Sequence, residues 1–203
     1  GRVSGEGLYV RYEMFLRLLE TRVHSLVGLS GSFFAARREV CSPWATDQQS
    51  DFNTLMNSIK KGYRGVLDPE ALGFYKDLSD SRKEFSRKVR TVTRGIRVFL
   101  KNVHLLNPFR YGFFSLQLFS HKLCRWLVPF AMLAHLAANA AVLGRSEFYV
   151  SWLALQLLFY TAALTGILLQ SSSRILKVPV YFVLVNLSIM AAWVKYFRGE
   201  HFI

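Results

Sequence analysis

The stretch Phe148–Gln170, with the sequence FYVSWLALQLLFYTAALTGILLQ, is 23 residues long and contains no charged side chain. About 20 consecutive apolar residues in a helix suffice to cross the hydrocarbon core of a bilayer. Uncharged runs of 17 residues lie on both sides of it, Leu127–Leu143 and Val178–Val194, and the latter can be extended through Phe197. The sequence therefore predicts a transmembrane region over residues 127–203, with spans at about 127–143, 148–170 and 178–197.

Positive charge is concentrated before this region. The 203 residues include 26 Lys and Arg against 13 Asp and Glu, a net charge of +13, although 52% of the chain is hydrophobic. Only 5 of the basic residues and 2 of the acidic residues follow residue 126. Such a separation excludes an ordinary soluble monomer and a disordered chain. Two cysteines, Cys41 and Cys124, are too few for a disulfide framework, so we expect reduced thiols.

The charge distribution also predicts an orientation. Basic segments next to membrane spans stay on the cytoplasmic side, so we expect an integral protein of the cell membrane with residues 1–126 in the cytoplasm. Arg174 and Lys177 then fall on the same side. A third span would put Lys195 and Arg198 on the opposite side, in conflict with the rule. An interfacial third segment would remove that conflict, and both arrangements stay open.

Two polar residues interrupt the first apolar run. His135 and Asn139 are four residues apart, so they share one face of a helix. They would either line a channel or form hydrogen bonds between helices. We favour the hydrogen bonds, because these are the commoner use of polar side chains in a membrane.

The first 82 residues alternate between helical and extended patterns. Leu8–Ser25 has an apolar stripe with helical spacing, and a helix is predicted from Asp51 to Lys61 with Gly62 as its stop. Short strands are predicted at Phe33–Arg38 and Tyr63–Leu67. This alternation predicts an α/β fragment, because two short strands cannot build a complete sheet.

Two amphipathic segments are predicted in the next region, residues 83–126. Glu84–Leu106 has apolar residues at steps of three and four with six Lys and Arg residues between them, and Phe109–Trp126 is rich in aromatic residues. A basic amphipathic helix binds either an anionic membrane surface or nucleic acid. The neighbouring spans favour the lipid bilayer as the partner, and we expect no nucleic-acid binding.

Simple chemical motifs are missing from the sequence. It has no H-x-x-x-H pair, Walker loop, G-x-G-x-x-G or D-x-D motif, so no metal-binding residue is assigned. The acid best placed for chemistry is Asp51, at the start of a predicted helix. Asp51 could be a helix cap or, held ionised by the helix dipole, a general base. Spacing alone favours the cap.

Four segments in order resemble the C-terminal half of a membrane-integrated family 2 glycosyltransferase, the group of cellulose, chitin, hyaluronan and poly-N-acetylglucosamine synthases. YVRYEMFLRLLETRVHSLVGLSGSFFAARREV (9–40) resembles the acceptor-side helix and loop. QQSDFNTLMNSIKKGYRGVLDPEA (48–71) resembles the segment that begins with the T-E-D-type motif. EFSRKVRT (84–91) is similar to the interfacial helix, and LNPFRYGFFSLQLFSHKLCRWLVPF (106–130) to the Q-x-x-R-W segment.

The resemblance implies an enzyme that transfers a hexose from a nucleotide-sugar donor to a growing glycan acceptor. Asp51 would be the catalytic base and Arg125 would bind the diphosphate. Trp126 would stack on the acceptor sugar, beside the acceptor loop Ser30-Gly31-Ser32. The resemblance also implies that residues 1–82 are the C-terminal part of a glycosyltransferase A-type catalytic domain.

The sequence departs from the family pattern in three places. Ser50 stands where the first motif has an acid, and Lys122 stands at the glutamine position of the second. The nucleotide-binding units and the D-x-D motif that holds Mg²⁺ or Mn²⁺ would lie before residue 1 or in a separate partner, so we expect this chain alone to be inactive. The alternative is a non-enzymatic integral membrane protein whose basic segment docks on a membrane surface or on a partner.

Overall fold

The computed structural model describes residues 6–42, 48–71, 73, 81–170 and 173–200. Within these ranges the regular structure is helical. The helices are α1 (Glu6–Val23), α2 (Ser50–Lys60), α3 (Ser81–Lys101), α4 (Pro108–Tyr111), α5 (Phe113–Leu118), α6 (Arg125–Ala141), α7 (Glu147–Leu168) and α8 (Arg174–Phe197). A π-helical turn, Phe119–Cys124, joins α5 to α6.

Three helices are long and apolar enough to cross a membrane. They are Phe113–Ala141 (29 residues), Glu147–Leu168 (22 residues) and Ile175–Phe197 (23 residues). Each covers all or nearly all of one of the apolar runs that the sequence predicts as a span. The first, called the long helix below, comprises α5, the π-helical turn and α6, and it begins well before its apolar run. The chain therefore has the helices expected of a membrane-integrated protein.

The predicted α/β fragment is wrong. No strand or sheet occurs among the described residues, and both predicted strands are irregular segments. The first, at residues 33–38, runs along the surface with Phe33 57% exposed, and it leads into a tight helical turn, Arg38–Val40. Its apolar residues gain little burial there, so nothing favours pairing it with another strand.

The second predicted strand, residues 63–67, is bonded to the end of α1 and the chain just after it. The amide of Leu26 donates to the carbonyl of Gly65 (2.9 Å). The amide of Gly65 donates to Ser25 Oγ (2.9 Å), and that of Leu67 donates to Thr21 Oγ1 (2.9 Å). Two side-chain hydroxyls and one backbone amide thus replace a neighbouring strand. A strand needs a continuous extended partner, and the described chain supplies none to this segment.

Helix α2 is confirmed at nearly the predicted bounds. It ends at Lys60, and Gly62 then takes φ +80°, which a glycine adopts without steric cost. One face of α2 buries Phe52, Leu55, Met56 and Ile59. The helix therefore packs into the core and carries its first turn, with Asp51, into the protein.

The core lies between α2, α3, the long helix and α8. The apolar stripe of α3 is buried there, including Val89, Ile96 and Phe99, together with Ile189 and Ala192 of α8. The amphipathic pattern of α3 is confirmed, but its apolar face packs on protein, mainly α8, and its exposed basic side chains lie opposite. The basic helix is thus fixed to the membrane region by hydrophobic burial.

The membrane helices pack at close range. A Cβ atom on Gly166 of α7 would lie 2.4 Å from Val180 Cγ2 of α8, so only glycine permits this approach. Trp193 Nε1 of α8 donates to the carbonyl of Trp126 in α6 (3.1 Å). These contacts hold α8 against both α6 and α7.

Candidate functional site

Asp51 lies in the first turn of α2 and is 8% exposed. The N-cap of α2 is Gln49, whose side chain forms no capping hydrogen bond. Instead, Gln49 Nε2 donates to Asp51 Oδ2 (3.2 Å). Asp51 is therefore not the helix cap. It is a buried carboxylate at a helix N-terminus, where the helix dipole favours negative charge.

The predicted acceptor loop lies directly against this carboxylate. A Cβ atom on Gly31 would lie 3.2 Å from Asp51 Oδ2, which is tighter than an ordinary van der Waals contact. Ser30 Oγ accepts a hydrogen bond from the Phe33 amide (3.4 Å), so it turns the loop, while Ser32 is exposed. Of the three loop residues, Gly31 is the one that the structure places on Asp51.

Trp126 reaches the same region from the long helix. Its ring packs edge-to-face on Phe52 (6.4 Å between centroids) and on Phe99 (5.6 Å). A Cβ atom on Gly95 would lie 3.3 Å from Trp126 Cζ2 and 3.5 Å from Gln49 Oε1. Because the ring is only 6% exposed, a sugar could stack on it only after a neighbouring side chain moved. Its role as an acceptor platform stays a prediction.

The side chain of Arg125 points away from Asp51 and towards α8. It lies one residue before Trp126 in the helix, which turns its side chain by about 100° from the tryptophan. Its guanidinium interacts electrostatically with Tyr181 of α8. The structure therefore brings Asp51, Gly31 and Trp126 together around Phe52 and Gln49, and it directs Arg125 to the α8 side of the same helix.

Lys122 belongs to the group around Asp51, although the sequence marks it only as a departure from a motif. Its Nζ lies 5.1 Å from the centroid of the Phe52 ring, a cation–π distance. A Cβ atom on Gly28 would lie 3.0 Å from the same Nζ. We call these residues the Asp51 cluster: Gly28, Gly31, Gln49, Asp51, Phe52, Lys122 and Trp126.

A second polar group fixes α1 to the long helix. Glu20 is 6% exposed; its Oε2 accepts from the Val27 amide (3.2 Å), and its Oε1 is bonded to His121 Nδ1. Gln117 Nε2 donates to the Glu20 carbonyl (3.2 Å), and Gln117 Oε1 accepts from the Ser25 amide (3.4 Å). Sequence reasoning missed this group. A signal was present, because Glu20 interrupts the apolar stripe of α1 between Leu16 and Val23.

The polar residues of the first apolar run form bonds between helices, as favoured from the sequence. Trp152 Nε1 of α7 donates to His135 Nε2 of α6 (2.9 Å). Asn139 is 4% exposed, and in the amide orientation that its surroundings require it donates to the Tyr149 carbonyl (3.3 Å) and accepts from the Leu153 amide (3.1 Å). Both residues therefore tie α6 to α7.

No group of three or more His, Cys, Asp or Glu side chains among the described residues is placed to hold a metal ion. The described residues do not supply a site for the Mg²⁺ or Mn²⁺ that the resemblance implies. We derive no chemical step through a metal from them.

No known protein family, characterised protein or solved structure matches this chain. The resemblance to membrane glycosyltransferases therefore rests on the motifs at residues 9–40, 48–71, 84–91 and 106–130.

Proposed function

We propose that this chain is the acceptor side and the membrane region of a glycosyltransferase that adds hexose units to a growing polysaccharide. The observation that carries the proposal is the contact between the Gly31 loop and the buried carboxylate of Asp51. These two segments, 20 residues apart in the sequence, are the ones that the resemblance assigns to the acceptor and to the base. The donor-binding part is either a preceding region of a longer polypeptide or a separate protein.

The chemistry requires a base at the acceptor and a positive charge at the leaving group. Asp51 accepts the proton of the attacking hydroxyl, a role worth about 10²–10⁴-fold in rate. Arg125 neutralises the diphosphate as it departs. Arg125 faces α8, so its side chain would have to turn towards Asp51 to reach a diphosphate bound beside that carboxylate. In this proposal residues 1–126 face the cytoplasm, where nucleotide sugars are made, and the apolar parts of the three long helices, from residue 127 onward, cross the membrane.

The test is the variant Asp51→Asn, which keeps the size of the side chain and removes the base. Membranes that contain the chain together with its donor-binding part receive radiolabelled UDP-glucose or UDP-N-acetylglucosamine, and label in polymer is counted. We expect transfer to fall roughly 10³-fold. Unchanged transfer with either donor would exclude Asp51 as the base.

The matched control is Asp68→Asn. Asp68 is exposed, and among the described residues its carboxylate accepts from the nearby Glu70 amide (2.9 Å). The same change of charge there should leave transfer within about twofold, because screening makes an exposed charge weak. Near-ultraviolet circular dichroism of both variants checks that the packing around Trp126 is retained.

One observation favours the alternative of a non-enzymatic membrane protein with a docking segment. Phe109 is 100% exposed and Phe113 is 61% exposed, with Arg110 exposed between them. Exposed aromatic residues beside a cation are typical of a segment that inserts into a membrane surface. A fluorophore attached at Phe109→Cys should shift to the blue in anionic nanodiscs. That shift together with full transfer activity of Asp51→Asn would support the alternative.

A further inference from the structure

Charged side chains of two other helices lie within electrostatic range of Lys122. Its electrostatic neighbours are Glu13, Arg17 and Glu20 of α1 and Asp51 of α2. Within α1, Glu13 pairs with Arg17 (3.5 Å), and Glu20 pairs with His121. Among the described residues of this group, Asp51 and Lys122 are the two that form no ion pair within 4.0 Å.

The same short loop passes both of these groups. Gly28 leaves the space that the Lys122 ammonium occupies, and Gly31 leaves the space beside the Asp51 carboxylate. The two glycines are three residues apart. A molecule that approaches along this loop would therefore meet a cation and a carboxylate of opposite charge, held apart and both partly or wholly out of water.

We propose that Lys122 and Asp51 together bind the attacking hydroxyl of the acceptor sugar, with the Lys122 ammonium donating to the hydroxyl oxygen and the Asp51 carboxylate accepting its proton. This inference rests on the proposed function. It adds Lys122, which stands at the glutamine position of the Q-x-x-R-W motif, as a second catalytic group.

The transfer step replaces one bond of the anomeric carbon by another. The acceptor oxygen forms a bond to the anomeric carbon of the nucleotide sugar, while its proton moves to Asp51. The bond between the anomeric carbon and the diphosphate oxygen breaks, and its electron pair leaves with the nucleoside diphosphate. The Lys122 ammonium keeps its protons and stabilises the partial alkoxide character that the attacking oxygen gains as its proton moves to Asp51. Lys122 is half-buried over the Phe52 ring, and this partial exclusion of water makes its charge more effective.

The test compares Lys122→Met, Lys122→Gln and Lys122→Arg in the transfer assay. Removing one donor to a developing oxyanion costs about 10²–10³-fold in kcat, so we expect Lys122→Met to lower kcat roughly 100-fold. The KM for the nucleotide sugar should change less than about twofold, because Lys122 contacts the acceptor. Lys122→Arg should recover about tenfold over Met, since it keeps the charge, whereas Lys122→Gln should recover less.

Lys60→Met is the matched control, because Lys60 is an exposed lysine at the far end of α2, and it should keep full activity. A kcat of Lys122→Met within twofold of the unchanged protein, with Asp51→Asn inactive, would overturn this inference and leave the proposed function standing. Full activity of Asp51→Asn would overturn both. If Lys122→Met fails to fold, equal kcat values for Lys122→Arg and Lys122→Gln would overturn the inference.

Discussion

The two halves of the long helix use polar side chains in different ways. In its first half, Gln117 and His121 bond to Glu20 and Ser25, about 100 residues earlier in the chain. In its second half, His135 and Asn139 bond to α7, the next helix along the chain. The first half therefore gathers distant segments around one place, whereas the second half joins neighbouring helices.

On the proposed function, the first half of the long helix belongs to a site and the second half serves packing. Assembling charged groups from three segments costs desolvation free energy, which is compensated only by well-formed hydrogen bonds. Interhelical hydrogen bonds in a membrane contribute less, about 0.6 kcal/mol on average. Substitutions in the first half should therefore have larger effects and should also change activity.

The largest effect is expected for Glu20→Gln in the first half. The change removes the charge that holds His121 and weakens the bond from the Val27 amide. Glu20 is buried while His121 is 33% exposed, and losing hydrogen bonds to a buried charged group costs about 3 kcal/mol; transfer activity should fall with it because Lys122 follows His121. Reversible unfolding in mixed micelles measures the free energy.

The control for that change is Glu13→Gln. Glu13 pairs with Arg17 at the surface of α1, and its side chain is 36% exposed. Its loss should cost about 0.5 kcal/mol or less. Equal losses of unfolding free energy for Glu13→Gln and Glu20→Gln would contradict a larger contribution from the buried carboxylate of Glu20.

The next effect is expected for Gly166→Leu in the packing region. The new side chain would overlap Val180 across the α7–α8 contact, and overpacking of this kind costs about 1–3 kcal/mol. Gly144→Leu is the control, because nothing lies within 4 Å of a Cβ atom there. We expect the same unfolding assay to report destabilisation for Gly166→Leu alone.

A smaller effect is expected for Asn139→Leu, about 1 kcal/mol, because the side chain is buried and bonds to two backbone groups of α7. Transfer activity should remain within about twofold. A large loss of activity without loss of stability would mean that this face lines a path for the product, contrary to the interhelical role.

The smallest effect is expected for His135→Phe, about 0.6 kcal/mol, from the loss of its bond to Trp152. The fluorescence of Trp152 should change, and the free energy of unfolding should fall slightly. A cost as large as that of Glu20→Gln would contradict the contrast between the two halves.

The sequence predicts the helices, because these depend on residue patterns that are local in the chain. The apolar runs identify the three long helices because length and composition suffice for that. Helix α2 follows from its apolar face and from Gly62. The strand at 63–67 is wrong because a strand depends on a partner, and here Ser25 and Thr21 take that place. A residue pattern typical of an extended segment does not show which groups that segment will contact.

The sequence predicts only part of the Asp51 cluster. The motifs point to Asp51, Gly31 and Trp126, and the structure brings these together. They do not point to the bond between Glu20 and His121, which joins residues 101 positions apart. They also give no reason to place Lys122 beside Phe52, because the helix there departs from the α-helical period.

The π-helical turn at Phe119–Cys124 has a consequence for how the two halves can change. A π turn holds one residue more than an α turn, and each residue in an α-helix rotates the chain by about 100°. Deleting Ser120 would convert the π turn into an α turn and leave the two halves facing as they do now, whereas a regular helix that kept the extra residue would rotate the first half by that angle relative to Trp126. The π turn therefore lets Gln117 and His121 face α1 although this part of the chain holds one residue more than a regular helix would need.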